Sequence, residues 1–269
     1  MKDIRACILI IEGTNCEFET KLAFESVGIS AEIVHLKQLI GNVPRERRRD
    51  LLDYRILVFP GGWSAGDYVR AGAIFAARIK SKLIDKIEKF VESGNLVLGI
   101  CNGFQILTEL GALPGFDGIS EKPEVALTTN LNAKFQCRAI YLKHENKCKF
   151  TERIPEGRVL QFPVAHAEGR FTLGENERLL DRLIENGQIV FRYCREDGGE
   201  ADGEFPFNPN GSLYDIAGIC NPDGNVLGMM PHPERVISKI QMADWTRNNY
   251  REGDGRIFFE SIREYVRNM

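Results

Sequence analysis

Three short stretches of this chain carry residue types suited to covalent acyl chemistry. Cys101 stands in Gly99-Ile100-Cys101-Asn102-Gly103-Phe104-Gln105, after the apolar run Leu96-Val97-Leu98 and before a segment with helical spacing, Phe104 to Leu110. A thiol in a sharp strand-to-helix turn, with glycine two residues away on either side, has the form of a nucleophile elbow, where small neighbours permit a strained backbone. The turn also sets the sulfur near a helix N-terminus, whose partial positive charge favours the thiolate. An isolated cysteine most often packs in a core. The glycine frame is what separates Cys101 from that ordinary case.

A thiol nucleophile needs a base, and the base needs an orienting acceptor. The chain has four histidines. His35 ends the apolar stretch Ile33-Val34-His35-Leu36 and reads as structural. His144 lies among charges in Lys143-His144-Glu145-Asn146-Lys147 and reads as solvated. His232 lies in Pro231-His232-Pro233-Glu234, where two prolines restrict the backbone on either side. In an extended segment residues i and i+2 point the same way, so Glu234 can hold the imidazole tautomer and support its charged form. Alone, Pro-His-Pro-Glu could equally be a surface turn; beside the Cys101 elbow it reads as the base and carboxylate of a Cys101-His232-Glu234 triad. The similarly spaced His166 and Glu168 lack the second proline and are assigned to substrate-loop or subunit-interface structure.

The third stretch is Leu57-Val58-Phe59-Pro60-Gly61-Gly62-Trp63-Ser64-Ala65-Gly66-Asp67, an apolar run entering a glycine-rich loop. Without Cβ atoms, its backbone N–H groups can approach a small substrate. The N–H groups of Gly62 and of Asn102, the residue after the nucleophile, are the candidate oxyanion hole, each donor being worth ~3 kcal/mol in acyl transfer. The loop lacks the endings of a P-loop or a dinucleotide site. Gln105, on the first turn of the helix after Cys101, is placed either to contact substrate or to be an ordinary polar residue of the helix surface. Cys16, in Gly13-Thr14-Asn15-Cys16-Glu17, reads as structural or substrate-adjacent, since no base follows it in the sequence.

The elements around these stretches alternate. Ala6 to Ile11, Ala31 to Leu36 and Ile56 to Phe59 read as strands. Glu17 to Val27 reads as a helix with Phe18, Leu22 and Phe24 to one side. Ile74 to Glu92 reads as one long amphipathic helix ended by Gly94-Asn95. From Ala126 to Cys220 the pattern is strand-rich, as in Arg138 to Leu142 and Gln188 to Tyr193, and Gly255 to Met269 closes as a helix. Such alternation predicts an α/β fold of flavodoxin-like type, a parallel or mixed central sheet with helices on both faces. Ligand sites in such sheets lie beyond the carboxyl ends of the strands, where both the Gly61 loop and the Cys101 turn fall. With 269 residues, 43% hydrophobic, and no linker-like tract, one domain spanning 1–269 is expected.

Composition narrows the function classes. A net charge of −3 argues against a general nucleic-acid surface, and the run Arg45-Glu46-Arg47-Arg48-Arg49 is short enough to be a solvated helix or a local partner contact. Seven scattered cysteines suit a reducing compartment rather than a disulfide frame. No Cys-x-x-Cys or His-x-x-x-His spacing occurs, so no resident metal is expected. The start has no signal-peptide pattern and no segment approaches ~20 apolar residues, so the expected location is cytoplasmic, away from membranes. The acidic, glycine-rich tract from Arg195 to Glu204 reads as a mobile loop.

The ordered set Pro60-Gly61-Gly62, Gly99 to Gln105 and Pro231 to Glu234 resembles the class I, triad-type glutamine amidotransferases. Within that superfamily the chain is similar to the glutaminase subunits of phosphoribosylformylglycinamidine synthases. The narrower resemblance rests on Gly13-Thr14-Asn15-Cys16-Glu17, Trp63-Ser64-Ala65-Gly66-Asp67, Thr129-Asn130-Leu131, Phe135-Gln136-Cys137-Arg138, His166-Ala167-Glu168-Gly169 and Asn208-Pro209-Asn210-Gly211-Ser212, which cover nearly the whole chain. The resemblance implies Cys101 as nucleophile, His232 as base, Glu234 as orienting carboxylate, and glutamine as substrate. It also implies a larger synthetase partner that takes ammonia, binds ATP and magnesium and converts formylglycinamide ribonucleotide to its amidine, with a small third subunit. No cofactor is implied on this chain. Another pathway's amidotransferase, a stand-alone thiol amidohydrolase and a non-catalytic docking subunit are the competing readings.

Overall fold

The computed structural model describes residues 4–174, 176 and 178–269. Its strands are β1 (Arg5–Ile10), β2 (Ser30–His35), β3 (Ile56–Phe59), β4 (Leu96–Ile100), β5 (Ala126–Thr128), β6 (Gln136–His144), β7 (Val159–His166), β8 (Arg170–Thr172), β9 (Ile189–Cys194), β10 (Ile216–Cys220) and β11 (Val226–Met229). The helices are α1 (Glu17–Ser26), α2 (Leu36–Leu39), α3 (Ala73–Lys82), α4 (Ile84–Glu92), α5 (Asn102–Leu110), α6 (Arg178–Glu185) and α7 (Gly255–Arg267).

Nine strands form one sheet in the order β2-β1-β3-β4-β11-β10-β9-β6-β7. The first five are parallel to their neighbours and the rest antiparallel. Every residue of β3, β4 and β11 is buried. Continuous apolar runs of this kind are what parallel strands covered on both faces require. On the two sides, Phe24 of α1 meets Phe259 of α7 edge-on at 5.0 Å, and Phe75 of α3 meets Phe59 of β3 at 5.8 Å. The mixed sheet with two helical layers is the fold class expected from the alternation.

Three local expectations are corrected. The stretch 74–92 is two helices, because Leu83 leaves helical geometry at φ −135°. Its periodicity runs through the break because Ile79, Leu83, Ile87 and Phe90 all pack into one core. In α1 the buried face is Thr20, Ala23 and Phe24, while Phe18 and Leu22 are about two-thirds exposed. His144 is fully buried, not solvated; its ring nitrogens meet Pro155 O at 3.1 Å and Thr151 Oγ1 at 3.0 Å. Strand alternation explains this, since Ile140, Leu142 and His144 share the inward face of β6. The tract 195–204 is a closed turn, with Arg195 N donating to Gly199 O and Arg195 Nη2 bonded to Glu204 Oε2.

His35 keeps the structural role its position suggested, its Nδ1 accepting from Lys37 N at the start of α2. Residues 45–47 make a single exposed helical turn. Among the described residues no helix is long and apolar enough to cross a membrane.

Candidate active site

Four adjacent parallel strands end at one edge of the sheet, and a candidate residue or loop follows each. After β1 comes the Gly13–Cys16 loop, after β3 the Gly61 loop, after β4 Cys101, and after β11 His232. The first two loops are joined by Trp63 N donating to Gly13 O at 3.0 Å and Asn15 N donating to Gly61 O at 3.4 Å. These two bonds flank Gly62, whose own N–H stays outside the ladder. Gly62 holds φ +145°, and a Cβ there would stand 2.8 Å from Asn15 N, so both backbone conformation and space call for glycine.

Cys101 adopts φ +52°, ψ −107°, a strained conformation for a residue with a side chain. What holds it is the surrounding frame. Its N–H donates to Met229 O at the end of β11 at 2.8 Å, and its carbonyl accepts from Phe104 N and Gln105 N. A Cβ on Gly103 would overlap Phe59 O, and one on Gly99 would stand 2.5 Å from Gly103 O. The two glycines therefore let α5 close onto β3 and β4. The Cys101 thiol donates a long contact to Ala165 O at 3.6 Å.

His232 is buried, its N–H donating to Pro163 O at 2.9 Å. Its Nδ1 lies 2.6 Å from Oε1 of buried Glu234. A carboxylate can only accept, so Nδ1 carries a proton in either charge state, and Nε2 is the nitrogen left to exchange a proton with the sulfur. Nε2 and Glu234 Oε2 have no hydrogen-bond partner. Burial opposes charge on this imidazole, but the Glu234 carboxylate and the Cys101 and Cys16 sulfurs outweigh it and hold its pKa well above the ordinary histidine value. Cys101, His232 and Glu234, expected together from two separate motifs, lie at one end of the sheet. No hydrogen bond joins the Cys101 sulfur to Nε2; the thiol is turned toward Ala165 O.

The pocket beside Cys101 has a volume of about 160 Å³ and is lined by Gly62, Asp67, Gln105, His166 and Glu168 among others. Gln105 is buried and is no helix-surface residue: Nε2 donates to Glu168 O at 2.6 Å and Oε1 accepts from Asn102 Nδ2 at 2.9 Å. Asn102 ties the wall together, its Oδ1 accepting from Ser64 N and its Nδ2 also donating to Asp67. Its backbone N–H, in the first turn of α5, has no acceptor within the helix. Burial, together with the nearby Glu168 charge, pushes the Asp67 carboxyl up to about 6.

His166 and Glu168 do not form a second pair. His166 Nδ1 meets Asn130 Oδ1 at 3.2 Å, while Glu168 Oε2 accepts from Ala71 N at 3.1 Å. Burial, with the charge of His232 beside it, pulls His166 down to about 4. Both residues line the pocket, in keeping with the first of the two assignments made for them, a substrate loop or a subunit interface.

The position of Cys16 does not contradict its reading as structural or substrate-adjacent. No base follows it in the chain, yet the fold sets it against His232, with Arg235 Nη2 donating to its sulfur at 3.1 Å. Burial raises its pKa, and His232 partly offsets that. Asp67 and Arg235 were missed; both adjoin a recognised motif, and only the tertiary fold gives them partners.

An elbow thiol and a carboxylate-tethered imidazole are the groups that thiol amidase chemistry uses, and the chain belongs to the CobB/CobQ-like glutamine amidotransferase domain family, whose model matches residues 3–266. Its relatives there are phosphoribosylformylglycinamidine synthase subunits PurQ. The protein of that description from Archaeoglobus fulgidus is 50% identical, with 100% of this chain and 99% of the relative covered. The one from Dehalococcoides mccartyi is 38% identical with full coverage of both. Among solved structures, a chain of PurLQS from Thermotoga maritima superposes with a TM-score of 0.73 at 33% identity, covering 99% of this chain and 100% of that one.

Proposed function

We propose that this chain is the glutaminase subunit of a phosphoribosylformylglycinamidine synthase. It hydrolyses the side-chain amide of glutamine and supplies the ammonia to a larger synthetase subunit, which uses ATP and magnesium to convert formylglycinamide ribonucleotide to the amidine. A small accessory subunit completes the assembly. The observation that carries the amidase reading is the buried His232 with its carboxylate on Nδ1 and an unpartnered Nε2 beside the Cys101 sulfur.

His232 Nε2 takes the thiol proton, and the thiolate attacks the amide carbon of glutamine. The oxygen that becomes negative is received by the N–H groups of Gly62 and Asn102. The imidazolium returns its proton to the departing nitrogen, releasing ammonia and leaving a thioester on Cys101. Water, deprotonated by His232, attacks the thioester and frees glutamate and the thiol. Glu234 fixes the tautomer and stabilises the imidazolium at each stage. Gln105 positions substrate along the wall of the pocket. No cofactor enters these steps.

The test uses the chain reconstituted with synthetase and accessory subunit. A glutamine-site electrophile should label Cys101 and abolish glutamine-dependent product formation while ammonia-dependent formation continues. Loss of both, or label on another cysteine with activity lost, overturns the reading.

A further inference from the structure

We propose that the pocket is also a capture site for a thiophilic divalent cation, zinc above all, held by Cys101 Sγ, Cys16 Sγ and His232 Nε2 with water as fourth ligand, so that metal reversibly silences the nucleophile. The ligand atoms of Cys16, His232 and Glu234 all lie within 4.8 Å of one another. Tetrahedral zinc with sulfur at about 2.3 Å and nitrogen at about 2.0 Å needs its donors about 3.5 Å apart; Cys16 and His232 stand near that separation, and the Cys101 sulfur, outside that group, must swing in to reach it. Cys101 converges on the same spot: a methyl placed on Gly61 would stand 2.8 Å from His232 Cε1, 3.0 Å from Cys16 Sγ and 3.5 Å from Cys101 Cβ.

Independent of the cluster, His232 Nε2 is buried without a hydrogen-bond partner. Its other nitrogen is held by Glu234 at 2.6 Å, the carboxylate–histidine arrangement that orients zinc-binding imidazoles. The Arg235 guanidinium, 3.1 Å from Cys16 Sγ, favours the thiolate that a metal needs. Of the three donors only the Cys101 sulfur must turn, away from Ala165 O. Binding releases to solvent the protons held by the two sulfurs and by His232 Nε2, breaks no covalent bond between heavy atoms and moves no electron between oxidation states. Two thiolates and one imidazole select a soft or borderline cation over magnesium or calcium.

The donor set stands whether or not glutamine is the substrate, so metal and consequence are read separately. The full chain is loaded with one equivalent of Zn²⁺ and studied by zinc X-ray absorption. Two sulfurs at about 2.3 Å with nitrogen or oxygen at about 2.0 Å are expected, together with loss of glutamate release that EDTA restores. Cys16→Ser should show one sulfur and, by competition with a chromophoric chelator, at least about tenfold weaker zinc binding. Fewer than two sulfurs in the wild type, two sulfurs persisting in Cys16→Ser, or undiminished glutamate release with zinc bound each overturns the proposal. Cys148 and Cys220 are the other neighbouring thiols. If Cys16→Ser does not fold, Cys148→Ser decides: two sulfurs should remain, and a drop to one places the metal elsewhere.

Discussion

Gly61→Ala probes the triad without touching a triad residue. Position 61 lies outside the left-handed region, so alanine adds a methyl and no backbone strain. That methyl stands 2.8 Å from His232 Cε1 and 3.0 Å from Cys16 Sγ, where ordinary contact begins at 3.4 Å. The imidazole must therefore retreat by about 0.6 Å, the difference of the two distances. It is poorly able to do so. Its backbone is bonded to Pro163 O at 2.9 Å, its ring to Glu234 at 2.6 Å, and it is buried. A misplacement of about 1 Å costs about 100-fold in rate, so kcat/KM for glutamate release should fall about 10- to 100-fold, or about 1.4–2.8 kcal/mol. Overpacking should lower stability by about 1–3 kcal/mol. Glutamate release is measured from limiting to saturating glutamine, thermal unfolding reports the fold, and ammonia-dependent product formation in the reconstituted assembly serves as control. Activity within twofold of wild type in a folded variant would refute the argument that the seating of His232 against Cys101 sets the rate.

Glu234→Gln removes the charge that lifts His232 while keeping the shape, and kcat should drop about 10²- to 10⁴-fold with a smaller change in KM; a loss under tenfold counts against its supporting role. His166→Ala should keep most basal glutaminase activity whereas His232→Ala should not, and equal loss of thioester formation in both would reverse those assignments. The folded pKa of His166, about 4, lies below its unfolded value near 6.5. The unfolded chain therefore binds the extra proton first, and stability is lost as pH falls through this window. Relative to His166→Gln, the wild type should lose about 3 kcal/mol in denaturant unfolding between pH 6.5 and 4; parallel curves for the two proteins would rule this out.

In the parallel half of the sheet β3 and β4 were legible because they are wholly buried, and unbroken apolar runs such as Leu57-Val58-Phe59 need no partner to be recognised, whereas β11, equally buried, was not read as a strand. The Cys101 turn was legible because close packing of α5 on β3 forces glycine at 103. His144 was misread from its charged neighbours, though counting by twos from Ile140 would have placed it inside. The break at Leu83 left no trace, since the residue at the bend is as apolar and buried as Ile79 and Ile87, a turn away on either side. Phe18 and Leu22 suggested the wrong face of α1; small Thr20 and Ala23 face inward because Thr20 Oγ1 donates to Cys16 O, which spares a buried hydroxyl from going unpaired. The meeting of Cys16 with His232 joins the ends of β1 and β11, distant in the chain, and no local pattern encodes it.

The bond from Cys101 N to Met229 O couples the elbow to the very strand that leads into His232. Sheet side chains alternate, so displacing β11 by a single residue against β4 would invert every face beyond it and carry the imidazole off the sulfur. Catalytic competence is therefore a registration mark. During refolding, glutamate release should return only when this last parallel pairing has locked, however early the rest of the chain collapses.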